Sequence, residues 1–378
     1  MKKKYQICTK CVMDTSDSKI KFDRDGICDH CNDFEINVKP NWYPNEEGKK
    51  RLESTVAKIK ADGKDRDFDC ILGMSGGVDS SFLLHLVVKE LGLRPLVFHV
   101  DGGWNSELAV NNIQVMVDKL GLDLYTEVIN WEEMKDFQLA FFRSGVPHID
   151  IPQDHAFVAT LYKFADKYNI KYILNGSNIS TECVRNPMEW LYYGTDMVHI
   201  NDIRKKFGKN KMETYPFSSI WRHKIYLKYI RKIHVVKPLD NLKYIKDDAL
   251  KLLKNEYGWK PYPQKHFESR FTKFFEGFWL PKRFGFDTRR VQFSSLILTG
   301  QMSRKEALEK LKLSSYNSDT IDDEFKYIAT KLGISVEELR TFFELPKKFY
   351  WDYKNQKTLF NIGAKVLQKI GLEKAVKR

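Results

Sequence analysis

Several features are missing from this sequence, and each absence excludes a class of protein. No apolar run approaches the roughly 20 residues that a membrane-spanning helix needs. The basic start at Met1 is not followed by an apolar signal segment, so we expect a cytoplasmic protein. A G-x-x-x-x-G-K-[ST] loop is also missing, which excludes the Walker A class of nucleotide-binding protein. No cysteine follows Met1, and neither Cys70 nor Cys183 stands in a glutaminase context, so any ammonia must come from solution or a partner.

The charge is strongly basic but unevenly distributed. The chain carries a formal net charge of +13 over 378 residues. Residues 346–378 hold nine Lys or Arg and two Asp or Glu, which is more than half of that excess. A basic tail is commonly a solvated end, so nucleic acid is not the expected partner. The tail also has apolar residues at helical spacing, for which packing on the same chain is favoured over a membrane or a partner: Leu359, Ile362, Val366, Leu367 and Ile370.

Four of the cysteines form two C-x-x-C pairs near the N-terminus. Cys8 and Cys11 are separated by sixteen residues from Cys28 and Cys31. This spacing is typical of a structural zinc site with four thiolate ligands, and a disulfide framework is less expected in a cytosolic protein. His30 lies inside the second pair and is interpreted as a bystander. The sequence therefore predicts a zinc ribbon over residues 1–40.

The stretch after the first predicted strand has the composition of an anion-binding loop. An apolar run at 70–72 leads into Gly-Met-Ser-Gly-Gly-Val-Asp-Ser-Ser, and a helical pattern follows. Such a loop presents backbone N–H groups and hydroxyls at a helix N-terminus, where a phosphate or pyrophosphate binds. Its pattern resembles the PP-loop of ATP pyrophosphatases, which split ATP between the α and β phosphates. The residues assigned to the nucleotide are Ser75, Gly76, Gly77, Val78, Asp79, Ser80 and Ser81. A carboxylate at Asp79 would repel polyphosphate unless it held Mg²⁺.

Apolar strands alternate with helical patterns from residue 65 to about 240. Strands are predicted at 68–74, 95–101, 122–129 and 171–175, with helices between them. This alternation predicts an α/β fold with a parallel sheet, whose ligands bind at the carboxyl ends of the strands. The sequence predicts a linker with a short helix at 41–64, the PP-loop domain at 65–240, a helical domain at 241–345 and a basic amphipathic tail at 346–378.

Other candidate site residues fall at predicted strand ends or in polar clusters. Asp101 ends the second strand as a possible Mg²⁺ ligand, and the backbone of Phe98 and Val100 is expected to face adenine. Gly176 and Asn178 follow a later strand and suit a nucleotide site.

A polar cluster opens the helix predicted at 154–168. Gln153 and Asp154 are assigned to the substrate, although Asp154 also suits a helix N-cap. His155 is a candidate general base or carbonyl-binding group. A cationic stretch further on suits phosphate or carboxylate recognition, with a solvated helix face as the alternative: Lys265, His266, Lys282 and Arg283.

Taken together, these segments resemble the N-acetyl sugar amidotransferases of the WbpG/PseA type over residues 6–312. The resemblance rests on the two cysteine pairs, the PP-loop and four later motifs: His-Val-Asp-Gly-Gly-Trp-Asn at 99–105, Pro-Gln-Asp-His at 152–155, Asn-Gly-Ser-Asn at 175–178 and Lys-His-Phe-Glu-Ser-Arg at 265–270. Ser18 departs from the family, whose members often have Pro there.

The resemblance implies a reaction and a partner. ATP would adenylate the oxygen of an acetamido group on a bacterial surface sugar nucleotide, and ammonia would then displace AMP to give an acetamidino group. Mg²⁺ and structural Zn²⁺ are the implied metals. The implied ammonia source is a pair resembling the glutaminase and cyclase subunits of histidine biosynthesis. Two rival interpretations are a tRNA thiolation enzyme, for which only Cys70 and Cys183 remain as sulfur carriers, and a nucleotide-binding scaffold without activity.

Overall fold

Five parallel strands form the central sheet in the spatial order β3-β2-β1-β4-β5. The structure is a computed structural model that describes residues 4–369. The strands are β1 (Cys70–Gly73), β2 (Pro95–Asp101), β3 (Leu124–Val128), β4 (Tyr172–Leu174) and β5 (His234–Val236). The chain moves outward in opposite directions from β1, which lies between β2 and β4. In open parallel sheets, ligands bind at such a switch point, beyond the carboxyl ends of the strands.

Helices cover both faces of the sheet because successive strand residues point to opposite sides. Cys70 and Leu72 of β1 face one layer, whereas Ile71 faces the other. The first layer consists of α2 (Glu46–Gly63), α3 (Val78–His85), α4 (Glu107–Leu120) and α9 (Lys246–Tyr257). The second consists of α5 (Trp131–Ser144), α6 (Ile151–Lys167) and α8 (Met197–Phe207). Burial of β1 on both faces fixes the loop that follows it.

The N-terminal segment folds around its four cysteines and a short helix, α1 (Asp29–Asp33). Isolated bridges pair Ile7 with Asp14 and Phe22 with Cys28. Cys8 and Cys11 therefore lie within one tight turn, whereas Cys28 ends a second turn and Cys31 lies in α1. The cysteines belong to the same buried cluster as the C-terminal aromatic residues, including Phe271 and Trp279. The N-terminal segment therefore packs on the C-terminal half of the chain.

The C-terminal region is helical, as the sequence predicts. Its helices are α10 (Arg270–Phe274), which continues in wider turns to Phe284, α11 (Arg289–Leu298), α12 (Arg304–Lys312), α13 (Ile321–Leu332), α14 (Val336–Glu344) and α15 (Lys357–Lys369). Ser303 accepts a hydrogen bond from the Glu306 N–H at 3.1 Å and so begins α12, as expected for a helix N-cap.

The tail departs from the expectation that its apolar stripe packs on the chain. Leu359, Ile362 and Val366 of α15 are exposed, while the neighbouring Phe360 contacts the Tyr193 ring at 5.0 Å. The Leu367 side chain and Ile370 lie outside the described residues. Within residues 4–369, the search for a helix long and apolar enough to cross a bilayer finds none.

Candidate active site

A cavity of about 560 Å³ opens at the carboxyl edge of the sheet. It extends from the loop after β1 across the end of β2 to the first turn of α6. Of the residues assigned from the sequence, those that line it are Ser75, Gly77, Val78, Asp79, Ser80, Phe98, Val100, Gln153, Asp154, Gly176, Lys265 and His266. The fold therefore brings together residues that are up to 191 positions apart in the sequence.

The loop after β1 leaves a helix N-terminus without a side-chain cap. Gly77 is the N-cap of α3, and no side chain caps it, so the first N–H groups of the helix face the cavity. Gly76 has φ +83°, and a Cβ there would lie 2.8 Å from the Ala109 carbonyl oxygen. The hydroxyls of Ser75 and Ser80 lie 3.1 Å apart beside these N–H groups. This arrangement of residues 75–80, the phosphate loop, is suited to a phosphate group.

Two residues assigned to the nucleotide have structural roles instead. The Ser81 hydroxyl is fully buried and accepts a hydrogen bond from Trp259 Nε1 at 3.1 Å. Asn178 caps the helix α7 (Ile179–Glu182) by accepting a hydrogen bond from the Thr181 N–H at 2.9 Å. Gly176, by contrast, lies against the phosphate loop, because a Cβ there would be 3.1–3.2 Å from backbone atoms of Asp79 and Ser80.

Asp79 lies in an ion-pair network rather than at a free carboxylate site. Lys265 Nζ is 3.2 Å from Asp79 Oδ2 and 2.6 Å from Glu182 Oε1. The Tyr244 hydroxyl donates to Asp79 Oδ1 at 2.6 Å. Burial alone would raise the pKa of Asp79, but Lys265 and the Tyr244 hydroxyl outweigh it, so the pKa falls below its ordinary value. Asp79 is therefore ionised at neutral pH.

The end of β2 presents its backbone to the cavity past the end of β1. The Phe98 carbonyl accepts a hydrogen bond from the Met74 N–H at 2.7 Å, so it is already used within the sheet rather than offered to adenine. Backbone groups alternate sides along a strand, so the N–H and C=O of Val100 point to the same side of β2 as the Phe98 carbonyl. Val100 lies beyond Phe98, the last β2 residue that pairs with β1, so its backbone groups have no β1 partner opposite them. Of the two expected adenine contacts, the geometry favours Val100.

Asp101 supports the loop after β2. Its Oδ1 accepts hydrogen bonds from the Gly103 N–H at 2.7 Å and from Asn105 Nδ2 at 3.1 Å. Asn105 Nδ2 also lies 2.9 Å from His99 Nε2, and His99 Nδ1 is 2.7 Å from the Met74 carbonyl oxygen. Asp101 thus orients Asn105 and His99, which line the cavity, and its carboxylate faces the loop rather than the phosphate site.

Polar groups from α6 and α10 line the far end of the cavity. Gln153 Nε2 donates to Asp150 Oδ1 at 3.1 Å and to the Thr272 hydroxyl at 3.1 Å. Asp154 Oδ2 is 3.3 Å from His148 Nε2. Burial and the neighbouring Asp154 raise the pKa of Asp150 well above its ordinary value. This end offers several hydrogen-bonding groups to a polar acceptor molecule.

Two further acidic residues flank the phosphate loop and the cationic stretch. Glu268 Oε1 lies against Gly77, where a Cβ would be only 2.2 Å away. Burial raises the pKa of Glu268, which favours its neutral acid beside a phosphate site. His266 Nδ1 is 3.0 Å from Glu276 Oε1. Burial disfavours the charged imidazolium and by itself would lower the pKa of His266. The carboxylate of Glu276 outweighs this effect and raises the pKa of His266 to about 9.

The expectation that His155 acts in catalysis is corrected by its position. Its Nδ1 is 2.6 Å from the Gly194 carbonyl oxygen, and its Nε2 accepts the Ser218 N–H at 3.0 Å. Both ring nitrogens are therefore engaged with backbone, and burial lowers the pKa of the ring. The residue joins α6 to two loops, and its side chain is only 2% exposed.

The expected substrate contacts of Lys282 and Arg283 are also corrected. Arg283 is buried and donates to the carbonyls of Phe342, Phe343 and Leu345, the last at 2.8 Å, so it caps the end of α14. Lys282 is exposed and lies 5.2 Å from the centre of the Tyr316 ring. Neither residue lines the cavity: Arg283 is packed among the C-terminal helices, and Lys282 lies on their surface.

The four N-terminal cysteines form a buried group that fits a tetrahedral metal. Their Sγ atoms all lie within 4.8 Å of one another, with Cys8–Cys31 at 3.7 Å and Cys11–Cys28 at 3.6 Å. Zinc–thiolate bonds of about 2.3 Å give a tetrahedron with edges of about 3.8 Å, close to these distances. His30 Nε2 instead lies 2.9 Å from Asp17 Oδ2, which agrees with the expectation that it is a bystander.

Arg304 fixes this cysteine group to the C-terminal region. Its guanidinium donates to the Cys8 carbonyl at 2.7 and 3.1 Å and to the Cys11 carbonyl at 2.9 Å. Arg290 adds a contact of 3.0 Å to Asp14. Arg304 and Arg290 therefore hold the N-terminal segment against the C-terminal helices.

The C-terminal part of the chain matches a family model. Residues 268–367 match the model described as LPS biosynthesis protein WbpG-like, C-terminal domain. This segment is therefore similar to the WbpG-like C-terminal domain. It begins at Glu268, at the edge of the cavity, so the matched segment supplies part of the cavity lining. The comparison with curated proteins gave no match.

Three solved structures show a distant similarity to the chain. The NMN synthetase of Francisella tularensis is 15% identical with a TM-score of 0.28, covering 59% of this chain and 91% of its own. The NH3-dependent NAD synthetase of Campylobacter jejuni, in complex with the nitrate ion, is 16% identical with a TM-score of 0.29, covering 58% and 99%. The U34-tRNA thiolase NcsA of Methanococcus maripaludis, with its [4Fe-4S] cluster, is 12% identical with a TM-score of 0.32, covering 90% and 89%. Likeness at this level carries no conclusion about activity.

Several residues of the cavity have no counterpart in the sequence-based assignment. Tyr244, Lys246 and Glu268 all approach the phosphate loop from the segment that follows β5. The Tyr262 hydroxyl donates to the Gly76 carbonyl at 3.1 Å and so fixes the loop from the same side. The only signal available in the sequence is the Lys-His-Phe-Glu-Ser-Arg motif, which contains Glu268 and pairs with the loop after β2 through an Asn105–Ser269 bridge.

Proposed function

We propose that this protein is an ATP-dependent enzyme that releases pyrophosphate and passes AMP to an acceptor. The observation that carries the proposal is the uncapped N-terminus of α3, which opens into a cavity together with two serine hydroxyls. The first N–H groups of α3, which no side chain among the described residues caps, and the helix dipole favour a polyphosphate at that end. The backbone of Val100, across the cavity, supplies a hydrogen-bonding edge for adenine.

We infer that the acceptor is an acetamido group of a bacterial surface sugar nucleotide, as the resemblance implies. The amide oxygen would attack the α-phosphorus of ATP, forming an O–P bond and releasing pyrophosphate. Ammonia would then add to the amide carbon, and AMP would leave with the original oxygen. The products are an acetamidino group, AMP and pyrophosphate. The polar groups around Gln153, Asp154 and Thr272 support this assignment, since they face the far end of the cavity.

Metal binding is part of the proposal at two places. The four cysteines would hold a structural Zn²⁺, because a group of four thiolates leaves no open coordination position. Asp79 would hold Mg²⁺ while sharing its carboxylate with Lys265, since Mg²⁺ commonly uses one or two carboxylates plus phosphate oxygens. Mg²⁺, when bound, neutralises charge on the departing pyrophosphate. Lys265 and Lys246 add positive charge at the same end of the cavity.

The partner proposed for this enzyme supplies ammonia. The resemblance implies a glutaminase and a cyclase-like subunit, and the location proposed is the cytoplasm, where ATP and sugar nucleotides are made. Water must be kept from the adenylated amide until ammonia arrives, which favours a closed route between subunits.

Incubation with ATP, Mg²⁺, an ammonium salt and a panel of acetamido sugar nucleotides tests the proposal. A product lighter than the substrate by the difference between O and NH, formed together with AMP, supports it. Asp79→Asn should abolish pyrophosphate release, while Asp118→Asn, on the outer face of α4, should leave it unchanged. Formation of ADP, or no nucleotide cleavage with any acceptor, would contradict the proposal.

The chemistry of the remaining cysteines counts against the thiolation alternative. Burial raises the pKa of Cys70 well above its ordinary value and raises that of Cys183 to about 12. Both are buried, and reactive cysteines need accessible thiolates. The double variant Cys70→Ser/Cys183→Ser should therefore keep the amidotransfer activity. If it instead lost a tRNA thiolation activity that the wild type shows, the amidotransferase assignment would be wrong.

A further inference from the structure

A second cavity of about 320 Å³ adjoins the active-site cavity. Four residues line both spaces, and they form two ion pairs. Lys265 Nζ lies 2.6 Å from Glu182 Oε1, and His266 Nδ1 lies 3.0 Å from Glu276 Oε1. The wall between the two cavities therefore consists of side chains rather than backbone.

The second cavity reaches the surface beside α7 and α11. Its outer lining comes from the end of α7, the segment after it and the face of α11 that bears Val291, Gln292 and Ser295. Arg185 is exposed at this rim, whereas Val184 and Ser295 are buried deeper in. This opening lies on the α7–α11 side of the ion-pair wall, whereas the phosphate loop lies on the other side.

We propose that the second cavity is the route by which ammonia reaches the active site. This inference rests on the amidotransferase reaction proposed above. Ammonia would enter beside Gln292, pass the Lys265–Glu182 and His266–Glu276 pairs, and meet the adenylated amide in the larger cavity. Its nitrogen forms a C–N bond to the amide carbon, the C–O bond to AMP breaks, and the proton released is retained by the amidinium product.

The hydrogen-bonding groups of the second cavity suit ammonia better than the other small species of the reaction, pyrophosphate. Both carboxylate oxygens of Glu276 already accept hydrogen bonds, from His266 and Thr288, and Glu182 Oε1 accepts one from Lys265. Among the described residues, Glu182 Oε2 remains as an acceptor for one of the three N–H donors of ammonia. Asn186 also borders this cavity, and its buried Oδ1 has no hydrogen-bond partner among the described residues. Pyrophosphate offers almost only acceptors and is much larger than ammonia, which is about the size of a water molecule.

A separate entrance also has a kinetic reason. The nucleotide binds at the phosphate loop and the sugar at the far end, so both substrates occupy the larger cavity when the amide is activated. Ammonia that entered by the same opening would need one of them to leave, which would admit water to the adenylated amide.

Gln292→Trp, with Gln292→Ala as its matched control, tests this route in the full-length, metal-loaded protein. Gln292 is half-buried at the rim, so a larger side chain there narrows the opening without filling the core. At limiting ammonium chloride, amidine formation by Gln292→Trp should fall by about tenfold or more. ATP–pyrophosphate exchange without ammonia should stay at the wild-type level. Hydrolysis of the adenylated amide in ¹⁸O-water should increase, returning ¹⁸O to the acetamido group.

The outcomes separate the route from the reaction. Equal amidine rates for wild type, Gln292→Trp and Gln292→Ala at limiting ammonium would overturn the route and leave the reaction standing. Loss of ATP–pyrophosphate exchange together with amidine formation, in a Gln292→Trp protein of unchanged thermal stability, would assign the cavity to pyrophosphate instead. If the wild type forms no amidine with any acceptor, the proposed function fails, and the route fails with it.

Discussion

Replacing Lys265 with Met should destabilise the protein in a way that depends on pH. The Lys265 side chain is only 12% exposed and neutralises two carboxylates, those of Asp79 and Glu182. Leaving a buried charge unpaired costs about 3–5 kcal/mol, and the lower end applies here because Glu182 is partly solvated. We therefore expect the free energy of unfolding at about pH 7 to fall by roughly 3 kcal/mol in urea titrations.

The sign of the pH effect follows from Asp79. In the wild type its pKa is lowered, so the stability it contributes is present above its unfolded pKa and is lost as the pH falls through the folded pKa. Without Lys265, burial dominates, the folded pKa of Asp79 rises, and the variant takes up a proton on acidification. The difference in unfolding free energy between wild type and variant should therefore shrink between about pH 7 and about pH 4.

The matched control is Lys251→Met, because Lys251 pairs with Asp248 at 3.7 Å and both side chains are largely exposed. Its effect should stay within about 0.5 kcal/mol at either pH. A Lys265→Met difference that is constant across this pH range, or smaller than about 1 kcal/mol, would show that Asp79 does not depend on Lys265 for its charge.

Three further variants test other parts of the structure. Arg304→Met should lower the unfolding free energy by about 2–3 kcal/mol and speed metal release to a chromogenic chelator. Arg340→Met, which removes an exposed ion pair, should do neither, and equal release rates for the two variants would refute the anchoring role. His155→Gln should cost about 1–3 kcal/mol of stability yet keep the activity per folded molecule, and a selective loss of activity would restore a catalytic role. Gly176→Val should weaken binding of a non-hydrolysable ATP analogue by about tenfold in calorimetry, because its side chain would displace the backbone at Asp79; unchanged affinity would argue against that close approach.

The sheet could be predicted wherever its strands are apolar and buried. β1, β2, β3 and β4 fall inside the predicted strands; β1 and β2 are buried on both faces, whereas β3 is only partly buried. β5 (His234–Val236) escaped prediction because its first two residues are exposed and the segment lacks the pattern of a buried strand. α8 was also missed, since the run Arg204, Lys205 and Lys206 makes this segment polar overall. Its inner face nevertheless buries Ile200 and Ile203.

In the candidate site, too, residues in a regular local pattern could be predicted, whereas residues whose role depends on distant contacts could not. Residues in the loop after β1 could be assigned because their spacing itself determines where the backbone N–H groups point. His155 could not be judged in this way, since its two partners, Gly194 and Ser218, belong to loops with no regular pattern. Arg283 reads as a phosphate ligand in the sequence, and only the fold shows that it caps the carbonyls at the end of α14. Roles that depend on distant loops are not encoded in local spacing.

The anchoring of the cysteine group by Arg304 has a consequence for synthesis of the chain. Cys8 and Arg304 are 296 positions apart, so the cysteines leave the ribosome long before the guanidinium that holds them. At about 5–20 residues per second, that delay lasts roughly 15–60 s. During this interval the four thiols lack the C-terminal residues on which they pack. The proposed metal, when bound, would be the group that holds the four cysteines together before the rest of the chain is made.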